Sequence, residues 1–221
     1  MLEIELAGES VVLHPERALV WPARRLGVIA DAHFGKDDAF RRAGIALPAG
    51  SARTDLERLA GLVHAHALER VVVLGDFFHA APHAEDAFFG EYAAFRSAHP
   101  ALAVEVVAGN HDRHGGRSLE GLVTWHDDAL PLGPFEFRHE PGASRDRYVL
   151  AGHLHPVTVL DGPGRDRARV PVFWQRPDHA VLPAFGSLTG GWRVEPAPED
   201  RLYALAGTRV LALPRHRRPR D

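Results

Sequence analysis

Three runs in this chain, RLGVIAD (25–31), RVVVLGD (70–76) and LAVEVVAGNHD (102–112), are apolar without alternation. A strand wetted on one face alternates, whereas a continuous run suits a strand buried on both faces of a parallel sheet. Parallel neighbours need crossovers, and two are legible. Ser51 to Arg70 reads as a helix, with Ser51 as its cap and Leu56, Leu59, Ala60, Val63 and Ala67 at helical spacing. AEDAFFGEYAAFRSAHP reads as a second, with Phe88, Phe89, Tyr92 and Phe95 on its core stripe and Pro100 as its stop. The polar segment 32–50 allows one helical turn around Phe40, and SVVLHPERALVWP reads as an opening hairpin. After Asp112 the runs LVTWHDD, PFEFRHEP, RYVLAGHLHPVTVL, RVPVFWQR and HAVLPAFGS are strand-like with no helix between them. The expected class is an α/β layered sandwich, a pair of mixed sheets with helices outside.

The chain has 221 residues, enough for one domain with a sizeable core. Residues 1–213 read as that domain, and the basic 214–221 as a frayed tail. A net charge of −3 argues against a surface that grips nucleic acid everywhere, but leaves room for a local basic patch. There is no Cys, so thiolate metal sites and disulfides are excluded, while His is abundant at 15. Any metal must be held by nitrogen and oxygen. The acidic start MLEIELAGES has no basic n-region or apolar h-region, and no apolar run is long enough to span a bilayer. A cytoplasmic location is expected.

Four apolar runs end in ligand-type residues. GVIADAH carries Asp31 and His33; VVVLGDFFH carries Asp76 and His79; VEVVAGNHD carries Asn110, His111 and Asp112; YVLAGHLH carries His153 and His155. Ligands in open α/β sheets gather beyond the carboxyl ends of strands, so these segments can converge at one rim. Singly, each is an ordinary turn; in this joint order they suit a metal centre. Two divalent cations about 3.5–4 Å apart clamp the attacking and leaving oxygens of an in-line displacement at phosphorus. A carboxylate bridges them, and neutral imidazoles and an amide oxygen complete the set without cancelling their charge.

The set DAH, GDFFH, GNHD and GHLH resembles the calcineurin-like metallophosphoesterases. ADAHFGKDDAFRRAGIALP together with LPAFGSLTGG is similar to the ligase-associated DNA damage response endonuclease (PdeM-like) family. Ala32 and Phe34 replace leucines of that pattern at positions that are not ligands. The resemblance spans nearly the whole chain. It implies a four-layer α/β/β/α metallophosphoesterase sandwich and two divalent ions, Mn²⁺ favoured over Fe or Zn²⁺. Asp31, His33, Asp76 and His155 would hold one ion, and Asp76, Asn110, His153 and a further His the other. His114, His126 and His139 are candidates for that further ligand. His139 is preferred because, like the others, it follows a strand.

The resemblance also implies hydrolysis of phosphodiester bonds by attack of a metal-bridging hydroxide, with DNA as substrate in repair and DNA ligase, helicase or exonuclease as partners. His111 would protonate or stabilise the leaving oxygen, Asp112 would hold its ring, and His79 would face the phosphate. Lys36, Arg41 and Arg42 are candidate phosphate contacts. Arg215, Arg217, Arg218 and Arg220 read as a soluble tail in preference to a nucleic-acid contact, and His64 and His66 as structural or exposed. A small-molecule phosphodiesterase or phosphatase is the alternative enzyme. A non-catalytic interaction module should have lost ligands, and this chain keeps them.

Overall fold

The computed structural model describes residues 1–47, 50–83, 85–115, 119, 121–162 and 166–215, with only the backbone at 113–115. A meander of β1 (Leu2–Leu6), β2 (Glu9–His14) and β3 (Ala18–Trp21) leads into β4 (Leu26–Ala30). Then come α1 (Lys36–Arg42), α2 (Ser51–His66), β5 (Arg70–Leu74), α3 (Ala87–Ala98), β6 (Ala103–Val107), α4 (Asn110–Gly115) and β7 (Thr124–His126). These strands form one sheet in the order β1 to β7, antiparallel up to β4 and parallel beyond it.

The second sheet starts with β8 (Ala129–Leu132), β9 (Phe135–Arg138), β10 (Tyr148–Ala151), β11 (Pro156–Asp161) and β12 (Arg167–Gln175). It ends with β13 (His179–Val181), β14 (Trp192–Arg193), β15 (Arg201–Ala206) and β16 (Arg209–Ala212). Its order is β14-β11-β12-β13-β10-β9-β8, with the β15–β16 hairpin added on β12. Parallel pairs β9–β10 and β10–β13 sit among antiparallel ones, so both sheets are mixed. The chain thus has the expected two-sheet α/β sandwich. Among the described residues every helix precedes residue 116.

The unbroken apolar runs are explained by two faces of burial. Successive side chains of a strand point to opposite sides. Ile29, Val71, Val73, Val104 and Val106 pack with Leu56, Leu59, Phe88 and Tyr92 of α2 and α3. Val28, Ala30, Val72, Leu74 and Val107 pack instead against Phe135, Phe137, Leu150 and Phe173 of the second sheet. The aromatic stripe of α3 lies in the helix–sheet core, as expected.

Two helix boundaries differ from expectation. Helix α2 ends at His66, not Arg70, because Ala67 turns left-handed (φ 46°) and Leu68 N–H closes on the Val63 carbonyl at 3.0 Å. Ser51 is its first residue and does not cap it. Instead, Asp37 of α1 accepts from the N–H groups of Gly50 (3.0 Å) and Ser51 (3.4 Å). The turn expected around Phe40 is the whole of α1. Of the tail, Arg215 is exposed, and Arg217, Arg218 and Arg220 lie outside the described residues.

Candidate metal centre

The segments ending in ligand-type residues leave β4, β5, β6, β9 and β10 at their carboxyl ends and meet at one rim shared by both sheets. Asp31, His33, Asp76 and His155 form one group with ligand atoms within 4.8 Å of one another, and Asp76, His139 and His153 form another. Asp76 belongs to both. Its Oδ2 lies 3.8 Å from His33 Nε2, and its Oδ1 lies 3.6 Å from His139 Nε2. Asn110 joins the second group, with Oδ1 2.9 Å from His139 Nε2.

Hydrogen bonds around the rim fix which ring nitrogens face inward. His139 Nδ1 is 3.1 Å from the Leu74 carbonyl, which can only accept, so Nδ1 carries the hydrogen. The lone pair on Nε2 then faces Asn110 Oδ1 and, at 3.0 Å, His153 Nδ1. His33 and His155 bring their Nε2 atoms within 3.3 Å of each other. Lone pairs crowded this closely repel unless a proton or a cation lies between them, and backbone carbonyls behind the imidazoles are the usual support of ligating histidines. The residues present therefore fit two cations held by nitrogen and oxygen.

Backbone conformation supports this reading. Asp31, His33, Asp76, His153 and His155 all have φ between 45° and 70°, five of the nine non-glycine residues with positive φ among the described residues. Such conformations are costly and collect at functional sites. Two glycines missed as part of the site belong to it. A Cβ on Gly75 would lie 2.1 Å from His139 Nδ1, and one on Gly109 would lie 2.3 Å from Asp76 Oδ1. The signal was present in the sequence: a glycine stands directly before Asp76 and before Asn110.

Burial sets the charge states. The His33 pKa is pushed down to about 2, first by burial and then by the charges of His155, Lys36, His111 and His79. His79 is pushed down to about 4, again mainly by burial, then by Lys36 and His111 and against the pull of Asp76. Both rings are neutral near pH 7. Burial raises Asp31, which His155, His139 and the two bonds from His153 N–H (3.0 and 2.9 Å) oppose.

His111 lies beside Asp76, with Nε2 3.9 Å from Oδ2 and its own N–H 3.0 Å from Oδ1. His33, His79 and His111 form a third group within ligand range of one another. The expectation for Asp112 is corrected. It does not hold the His111 ring, whose Nδ1 is bonded to the His79 carbonyl. The buried Asp112 carboxylate accepts instead from the N–H groups of Phe77 (3.2 Å), Phe78 (3.0 Å) and Gly109 (2.9 Å). It ties together the loops that carry Asp76 and Asn110.

The three cations also separate. Lys36 is half-buried, with its pKa lowered by burial, and its charge reaches His33 and His79. Arg41 is paired with Asp37 and Asp38 of its own helix, and Arg42 with Asp86. These acids engage the two arginines, whereas no ion pair of Lys36 is found among the described residues. Of the other candidate histidines, His126 bonds to Glu105 at 2.7 Å, and the side chain of His114 lies outside the described residues.

No protein-family model matches the chain, and no curated protein matches it. Among solved structures, the Pseudomonas putida nuclease MPE superposes with a TM-score of 0.84 at 38% identity, over 96% of this chain and 99% of that one. The chain belongs to the family of that nuclease. A protein of unknown function from Aquifex aeolicus, AQ665, aligns at a TM-score of 0.43 and 17% identity over 59% of this chain and 78% of that one, too little to bear on the fold.

Proposed function

We propose that this protein is a binuclear metal-dependent phosphodiesterase of the calcineurin-like type that cleaves DNA. The observation that carries the reading is the position of Asp76 at the junction of two ligand groups drawn from both sheets. Asp31, His33, Asp76 and His155 hold one ion, and Asp76, Asn110, His139 and His153 the other. Kinship with a nuclease supports a nucleic-acid substrate. The sulfur-free donor set suits Mn²⁺, Fe or Zn²⁺, and the sequence resemblance favours Mn²⁺. The same resemblance supports a role in DNA repair beside ligase, helicase or exonuclease partners; residues 1–213 act as one domain, and the proposed location is the cytoplasm.

Bound divalent ions supply Lewis acidity toward the phosphoryl oxygens and activate water. The chain supplies the rest. Asp76 and Asp31 offset cationic charge, and the neutral His33 leaves it uncancelled. His111 is aimed by the His79 carbonyl so that its Nε2 faces the centre, where a proton on it can pass to the leaving oxygen. The neutral His79 ring and Lys36 border the space where the phosphate sits.

The test is a metal screen on metal-stripped protein with single-stranded DNA, duplex DNA and bis(p-nitrophenyl) phosphate. Cleavage restored by a divalent ion at two equivalents per chain is expected. Full activity in chelator, or binding of two ions with no hydrolysis of any phosphodiester, rejects the proposal.

A further inference from the structure

Two cavities lie toward the His155 side of the centre, and Arg169 lines both. The nearer, about 270 Å³, is lined by His155, Arg17, Arg169, Thr189, Gly190 and Gly191. The second, about 710 Å³, is lined by Arg169, Trp174, Trp192, Arg193 and Glu195 among others. Resting on the nuclease reading above, we propose that this groove holds the nucleic-acid strand on one side of the cleaved bond. Arg17 and Arg169 take a backbone phosphate, and Trp192 stacks an unpaired base.

Trp192 is the first observation. It is 73% exposed, the most exposed large hydrophobic residue described. Tryptophan is usually well covered, and one left bare beside arginines suits a base, which offers a π-face to stack. The residue is not on a loose loop. It begins the short edge strand β14, and its N–H bonds to the His155 carbonyl at 2.9 Å. The backbone that carries the indole is thus anchored to that of a residue assigned to the centre.

The donors along the path are the second. Arg17 Nη1 is oriented by the carbonyls of Ala184 (3.2 Å) and Gly186 (3.1 Å), and Arg169 by that of Gly191. Thr189 also lines the nearer cavity, and its buried hydroxyl has no hydrogen-bond partner among the described residues. Among the described residues Glu195 is the one acid that lines either cavity, against Arg17, Arg169 and Arg193. The other flank of the centre differs. Its cavity of about 420 Å³, beside Asn110 and His139, carries Asp128 and Glu140, and its Arg138 is already paired with Glu136. An anionic backbone is therefore drawn to the Arg169 side. The groove also gives a role to LPAFGSLTGG, whose last residues form its wall.

The experiment compares metal-loaded wild type, Trp192→Ala, Trp192→Phe and Arg169→Ala on a mixed-sequence single-stranded oligonucleotide and on bis(p-nitrophenyl) phosphate, which carries no neighbouring nucleotide. In Trp192→Ala the ratio of oligonucleotide to small-diester kcat/KM should fall about tenfold or more, through KM, with most of it restored in Trp192→Phe. In Arg169→Ala the salt slope of oligonucleotide binding should shrink by about 0.7. Unchanged ratios and slopes in both alanine variants would overturn the groove and leave the nuclease reading standing. An equal loss on both substrates would also overturn it, because the residues would then be supporting the centre. Wild type that hydrolyses the small diester but no oligonucleotide would remove the nuclease reading, and the groove with it.

Discussion

The carbonyl oxygen of His79 lies 2.5 Å from His111 Nδ1, and a carbonyl can only accept, so the hydrogen on that ring sits at Nδ1. His111 therefore presents Nε2 to the centre in either protonation state. His111→Ala should keep the fold and both ions, yet lose roughly 10²–10⁴ in rate, the usual contribution of a general acid. The loss should be much smaller on a nitrophenyl diester, whose leaving group needs little protonation. Metal analysis alongside the kinetics checks the assignment, and loss of an ion would make His111 a ligand instead.

Asp76→Asn tests the junction. The amide keeps the shape but not the charge that serves two groups at once, so both metal stoichiometry and turnover should collapse. Two ions per chain with normal turnover would remove Asp76 from the bridging position.

Gly75→Ala should cost stability and the second ion together. The new Cβ meets His139 Nδ1 at 2.1 Å, and φ is 75°. Gly8→Ala is the control, with φ 81° and nothing within 4 Å. Each variant bears the left-handed backbone cost of about 1–2 kcal/mol. Only Gly75→Ala should fall further in Tm and lose metal. Equal effects in the two would mean that the backbone term accounts for everything.

Asp112→Asn separates support from catalysis. An amide cannot accept all three N–H bonds well, and leaving one buried donor unsatisfied costs about 1–3 kcal/mol. Tm should drop, while the pH profile of the folded, metal-loaded enzyme keeps its shape, because His111 is held by the His79 carbonyl. A changed profile at unchanged Tm would restore the catalytic role expected from the sequence.

His14 sets a pH dependence away from the centre. Burial, then the charge of His66, holds its pKa below 6.5, and its Nδ1 accepts the Glu16 N–H at 3.1 Å. The folded value lies below the unfolded one, so the unfolded chain binds more protons as the solution turns acid. Stability from this residue is complete above about pH 6.5 and is lost as pH falls below it. Urea midpoints on either side of that pH should diverge more in wild type than in His14→Gln; equal shifts would assign the effect elsewhere.

Much of the fold was legible because β4 and β5 are buried on both faces and must be continuously apolar. The meeting of Asp31, Asp76 and Asn110 follows from parallel strands ending at one rim. The β15–β16 hairpin was not read. Leu202 to Leu205 are buried consecutively, but RLYALA is too short and mixed to separate strand from helix by period. The partners of Arg41, Arg42 and Asp112 were not legible either. Arg42 meets Asp86 44 positions away, and Asp112 meets backbone N–H groups, which every residue but proline has. Trp192 attracted no notice in the sequence because its exposure exists only once β14 is placed at a sheet edge.

In the proposed centre the two sheets would share the work of ligation: β4, β5 and β6 bring Asp31, His33, Asp76 and Asn110, while β9 and β10 bring His139, His153 and His155. Each ion of the proposed centre would draw ligands from both sheets, so the spacing of the sheets would set how closely each ion is held. A bulkier residue at Phe137 or Leu150, wedged in the interface that holds them together, should alter the chemistry without touching a ligand, as a shim under one jaw changes the bite of a vice.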